Sequence, residues 1–116
     1  MQDTEKQCTE TLSCLCTQLI NCVNTHRIIK ESNLLDLAMV SKDVIANNGE
    51  LPEEFVELSS CLSDYWRTKA ADDEDKERAF SYIRAYQVCS MAETEMALKR
   101  SETNLSSVSE KQTKYG

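Results

Sequence analysis

Cys8 to Cys22 reads CTETLSCLCTQLINC and holds four of the chain's six cysteines. Such density suits a metal site, a disulfide framework, a reactive thiol cluster, or a helix that uses cysteine as a small apolar residue. The spacing, C-x5-C-x-C-x5-C, separates these readings. Structural zinc sites show close pairs such as C-x2-C, with a second pair at a distance, so that loops wrap the ion. On a helix turning about 100° per residue, Cys8 and Cys22 share a face, Cys16 lies to one side of it, and Cys14 lies to the other side, nearly opposite Cys16. Four ligands do not converge from one rod in that arrangement.

The same stretch carries a regular stripe. Cys8, Leu12, Leu15, Leu19, Cys22, His26 and Ile29 follow one another at alternating spacings of four and three, a heptad seam that faces another helix. Cys16, Ile20 and Val23 widen it to the breadth of a bundle helix. The spacing predicts a helix over residues 4–30 with its cysteines packed as small hydrophobes and Cys14 as the exposed thiol. Cys8, Leu12, Leu15, Leu19, Cys22 and His26 form the seam along which a second copy could also pair.

Outward from this segment, 116 residues with 41% hydrophobic and 28% charged residues fit one globular domain. Glycine and proline total three, and neither occurs from Met1 to Asn48 or from Glu53 to Tyr115. A β-rich fold needs many tight turns and hence these residues, so the expectation is all-α: an antiparallel bundle of about four helices over residues 1–100. The composition then turns to Ser, Thr, Asn, Lys and Gln in SETNLSSVSEKQTKYG, which reads as a flexible tail over 101–116.

A second helix is expected from Leu34 to Ala46, capped by Ser32 or Asn33, with Leu34, Leu37, Ala38, Val44 and Ile45 as its apolar face and Leu35, Met39 and Val40 broadening it; KESN, at 30–33, could also stay helical. Asn47, Asn48 and Gly49 stop it and Pro52 opens the third, whose stripe is Phe55, Leu58, Leu62 and either Tyr65 or Trp66. The fourth, capped by Asp72 or Asp73, is apolar nearly all round. Such a helix is either the bundle centre or half of an oligomer interface.

Chemistry has few footholds. Cys22 and His26, four apart, can supply two metal ligands to a site completed elsewhere, and His26 can serve as base to a cysteine. No P-loop, G-x-S-x-G or H-E-x-x-H is present, so neither an enzyme nor a cofactor is expected. A net charge of −7 with scattered Lys and Arg argues against direct nucleic-acid binding. No apolar run reaches a bilayer span, and the polar start MQDTEKQCTE lacks signal-peptide character. With Met1 as the native start, the expectation is a cytoplasmic location and free thiols.

The remaining expectation is a protein–protein interaction module that acts through apolar helix faces: an adaptor, a chaperone-like protein or a small inhibitor. Its partner could present a basic surface, and a homodimer through the first or fourth helix is open. Partner-binding candidates are Tyr65, Trp66 and Arg67, an aromatic–cation cluster of the kind enriched among binding anchors. The acids Glu53, Glu54, Glu57, Asp64, Asp72, Asp73, Glu74, Asp75 and Glu77 join them. The alternative reading makes this acidic stretch a nucleic-acid mimic, of the phage or plasmid counter-defence type, that blocks a basic site on its target.

Overall fold

Long stretches without glycine or proline become helices, and the hinge between them becomes a crossing connection. A computed structural model describes the backbone of residues 2–115 and the side chains of residues 7–102. The elements are α1 (Gln2–Asn24), α2 (Glu31–Ala46), α3 (Glu53–Thr68), a 3-10 turn (Ala70–Asp72) and α4 (Lys76–Tyr115), with no strand among the described residues. The chain is an all-α bundle. α1 packs on α2 and α3, and α4 packs on the same two helices. Consecutive helices alternate in direction. The α2–α3 connection crosses the diagonal, so the neighbours α2 and α4 run in the same sense: Arg84 pairs with Glu31, and the Lys99 ammonium donates to the Ile45 carbonyl.

The inward stripes meet in one core. Leu12, Cys16 and Leu19 of α1 are fully buried, as are Leu37 and Val44 of α2 and Phe55, Leu58 and Leu62 of α3. α4 contributes small residues, Ala79, Ala85, Cys89 and Ala92, beside Tyr82 and Met96. Burying a leucine-sized side chain contributes about 1.5–3 kcal/mol. Ala38, Leu35 and Met39, expected on the inward face of α2, are exposed, because the core takes only the side of α2 that carries Leu34, Leu37, Val44 and Ile45.

Three boundaries differ from the expectation. α1 stops at Asn24 rather than near residue 30, because His26 takes a left-handed conformation, φ 57°. There the Arg27 amide donates to the Cys22 carbonyl at 2.8 Å and the His26 amide to that of Val23 at 3.3 Å, a Schellman ending. The break lets Ile29 enter the core, 2% exposed, with its amide donating to Ser81 Oγ at 3.2 Å. α2 therefore begins at Glu31, with Lys30 at the N-cap, and Ser32 and Asn33 lie inside the helix. α4 is capped by Asp75, whose Oδ1 accepts the Arg78 amide at 3.0 Å, instead of by Asp72 or Asp73.

The end of α2 repeats the Schellman pattern. Asn48, φ 63°, is the left-handed residue, and the Gly49 amide donates to the Val44 carbonyl at 2.8 Å. The approach at Gly49 is close: a Cβ there would lie 3.0 Å from Val44 Cγ1 and 3.1 Å from the Val44 carbonyl oxygen, so Val44 would have to give by a few tenths of an ångström. The α4 backbone is helical to Tyr115. The flexible tail expected over 101–116 falls, from residue 103 onward, outside the residues whose side chains are described.

Candidate functional site

The six cysteines are free thiols spread through the bundle. Cys16 and Cys89 are buried, Cys8, Cys22 and Cys61 are half-buried, and Cys14 is exposed. Cys14 lies in a groove of about 600 Å³ between α1 and α2, beside Leu15 and Val40. Burial, followed by the Glu54 carboxylate, pushes the Cys16 thiol up to about 12. Burial likewise raises Cys89. These thiols are the opposite of activated nucleophiles, which sit in electropositive, accessible surroundings.

Cys22 and His26 do not share a helical face, because the helix ends between them. His26 is exposed and its backbone forms the C-terminal cap of α1. With Cys61, Asp64 and Tyr65 it lines a crevice of about 230 Å³. Burial first, then the Glu57 and Asp64 carboxylates, raises the Cys61 thiol. Among the described residues, no group of three or more His, Cys, Asp or Glu is arranged to hold a metal ion. Of the rest of the α1 seam, Leu12 and Leu19 are spent inside the chain's own core, whereas Cys8 and Leu15 are half-buried.

The aromatic–acidic candidates divide into two sets. Tyr65 is buried, and its ring meets that of Tyr82 edge-on at 4.9 Å. Its hydroxyl donates to Asp73 Oδ2 at 2.5 Å, and Asp73 Oδ1 accepts from the Asp75 amide at 3.0 Å and Arg78 Nη2 at 2.9 Å. The Tyr65 hydroxyl, then the Asp75 amide and the Arg78 guanidinium, hold the Asp73 carboxyl below the ordinary carboxylate range. Arg78 reaches on to the His26 carbonyl at 3.3 Å. Tyr65, Asp73 and Asp75 are thus bonded to the chain itself, where they tie the α3–α4 connection to the α1–α2 loop.

The second set faces solvent. Trp66, Arg67, Glu53, Glu57, Asp64, Asp72, Glu74 and Glu77 are exposed, and Glu54 is half-buried. Glu53, Glu57 and Asp64 are spaced four and seven apart, which sets them on one stripe of α3.

Exposed apolar residues form a different surface. Leu35 and Met39 on α2 are 57% and 64% exposed, and Phe80, Met91 and Leu98 on α4 are 61%, 72% and 59% exposed. On α4 these lie on one stripe with Arg84 and Glu95; on α2, Leu35 and Met39 are one turn apart. A groove of about 250 Å³ separates the two helices, lined by Ala38, Lys42, Val88, Met91 and Glu95. A second, of about 370 Å³, holds Ile28, Leu34 and Phe80 with Arg84 and Glu31 at the upper end. The Arg84 guanidinium lies 6.0 Å from the Phe80 ring centroid. Sequence reasoning missed this face as a unit. Its signal was the all-round apolar character of α4, which could not indicate the side left uncovered.

No helix among the described residues is long and apolar enough to cross a membrane. Comparison of the chain with protein-family models, with curated proteins and with solved structures finds no match.

Proposed function

We propose that this chain is a non-enzymatic protein–protein interaction module, of adaptor, chaperone-like or small-inhibitor type, that binds through the outer face of α2 and α4. One observation carries the reading: of the seven large apolar residues more than half exposed among the described residues, five, Leu35, Met39, Phe80, Met91 and Leu98, lie on α2 and α4, and two, Val56 and Trp66, on α3. Isolated surface apolar residues are ordinary, whereas a contiguous apolar patch marks an interaction site. The test is affinity capture from the native host at low and high salt, with the wild-type chain and with Leu35→Glu/Met91→Glu. The expected partner survives high salt and is lost from the double variant.

The stripe of Glu53, Glu57 and Asp64 favours a second reading, an acidic inhibitor of a basic nucleic-acid-handling protein. A partner held by such charges is released as salt rises, and Glu53→Lys/Glu57→Lys abolishes its capture while Leu35→Glu/Met91→Glu does not.

A further inference from the structure

We infer that the α2–α4 face is covered by a second copy of this chain, in a two-fold symmetric dimer. The inference rests on the interaction reading above and names the partner. Its basis is the placement of charge around the apolar centre. At the upper end of the face stand Glu31 on α2 and Arg84 on α4, 3.5 Å apart. At the lower end Lys42 of α2 and Glu95 of α4 line the same groove. Glu31 and Lys42 on α2, and Arg84 and Glu95 on α4, are each eleven residues apart, three turns or about 16 Å along the axis, so the four backbone positions outline a rectangle, at whose upper end the two side chains already pair with each other. Leu35 and Met39 lie between the α2 corners, and Val88 and Met91 between the α4 corners.

The signs alternate around this rectangle. Turning a second copy by half a turn about an axis in the plane of the face meets opposite charge at every corner, for either direction of the axis. With the axis across the helices, α4 lies antiparallel on the partner's α4, Arg84 faces Glu95, and Glu31 faces Lys42 across α2. With the axis along the helices, α2 lies on α4 of the other copy, Glu31 faces Arg84, and Lys42 faces Glu95. A surface complementary to itself in this way suits an isologous dimer. The chain as a whole carries −7, which repels a second copy elsewhere, while these corners sum to zero. Leu35, Met39, Val88 and Met91 lie between these charges, whereas Phe80 and Leu98 extend the apolar stripe beyond Arg84 and Glu95 along α4.

The extent of the face sets the size of the contact, not its affinity. Phe80 to Leu98 spans about 27 Å, and two helices are about 20 Å wide, so the projected footprint is about 540 Å² per copy. This is a projected area, smaller than the accessible surface that two copies would bury, and it places the contact towards the small end of specific interfaces.

Sedimentation velocity and light scattering of the full chain over a concentration series read this directly, with circular dichroism as the folding control. The wild type is expected to pass from monomer to dimer, and Leu35→Glu or Met91→Glu to weaken association by about tenfold to a hundredfold. Glu95→Arg weakens it by about fivefold. Adding Arg84→Glu restores the dimer if α4 lies on α4, and adding Lys42→Glu restores it if α2 lies on α4. Restoration by either second change supports the inference. A dimer indifferent to these substitutions, or restored by neither second change, overturns it. A monomeric wild type whose salt-resistant partner is lost from Leu35→Glu/Met91→Glu overturns the second copy alone. A monomeric wild type whose partner ignores that variant overturns the interaction reading as well.

Discussion

Asp73 shows how much one carboxylate can organise when its neighbours are supplied by three segments. It accepts from the Tyr65 hydroxyl, the Asp75 amide and the Arg78 guanidinium, and these partners stabilise its charged form below the usual Asp range. The folded carboxyl is therefore more acidic than the unfolded one, so its contribution to stability is complete above the unfolded Asp value. It is lost as pH falls through the depressed folded value. Asp73→Asn is expected to unfold at lower urea than the wild type at neutral pH and to show a shallower loss of stability towards acid. Urea titrations followed by circular dichroism across the acid range measure both. Equal acid slopes in the two proteins would show that the carboxylate is not held by these partners. At the same end of the bundle, the Tyr82 hydroxyl lies 2.7 Å from the Arg27 carbonyl and 3.1 Å from that of Cys22, so the α1–α2 loop is fastened from α4.

Two helix endings use the same backbone device with different side chains. His26 and Asn48 are the left-handed residues that close α1 and α2, a conformation that costs an L-residue about 1–2 kcal/mol and glycine almost nothing. His26→Gly is expected to leave the protein as stable or more stable, by up to about 1 kcal/mol. Gly49→Ala meets Val44 Cγ1 at 3.0 Å and is expected to cost about 1–3 kcal/mol. Thermal unfolding of the two variants against the wild type separates the cases. A large loss from His26→Gly would assign the imidazole a structural role beyond its backbone. At this scale the sequence was partly legible. Asn47, Asn48 and Gly49 announce a helix end through their own preferences, whereas nothing in NTHRII, at 24–29, marks residue 26 as a turn. That turn depends on partners far along the chain: Ser81 for the Ile29 amide and Tyr82 for the carbonyls.

Across the whole molecule, apolar side chains fall into those the bundle covers and those it leaves outside. Leu19 is fully buried, and Leu35 and Met91 are 57% and 72% exposed. Leu19→Ala is expected to cost about 2–5 kcal/mol, while Leu35→Glu and Met91→Glu stay within about 0.5 kcal/mol in the monomer. Urea midpoints below the dimerisation range check the contrast, and a large loss from either surface variant would place that side chain in the core. The amino-acid sequence by itself determined that the chain is helical, where its main hinge lies and which stripes of α1 and α3 turn inward, because periodicity and turn chemistry are local properties. Only the tertiary structure decided that α1 ends at Asn24, that Tyr65, Asp73 and Asp75 are bonded to the chain itself, and that α2 and α4 leave exposed apolar residues side by side with an opposite-charge pair on each side of Leu35 and Met91. Those outcomes depend on which helices become neighbours. With α4 apolar nearly all round, its period cannot state which side the rest of the chain will cover.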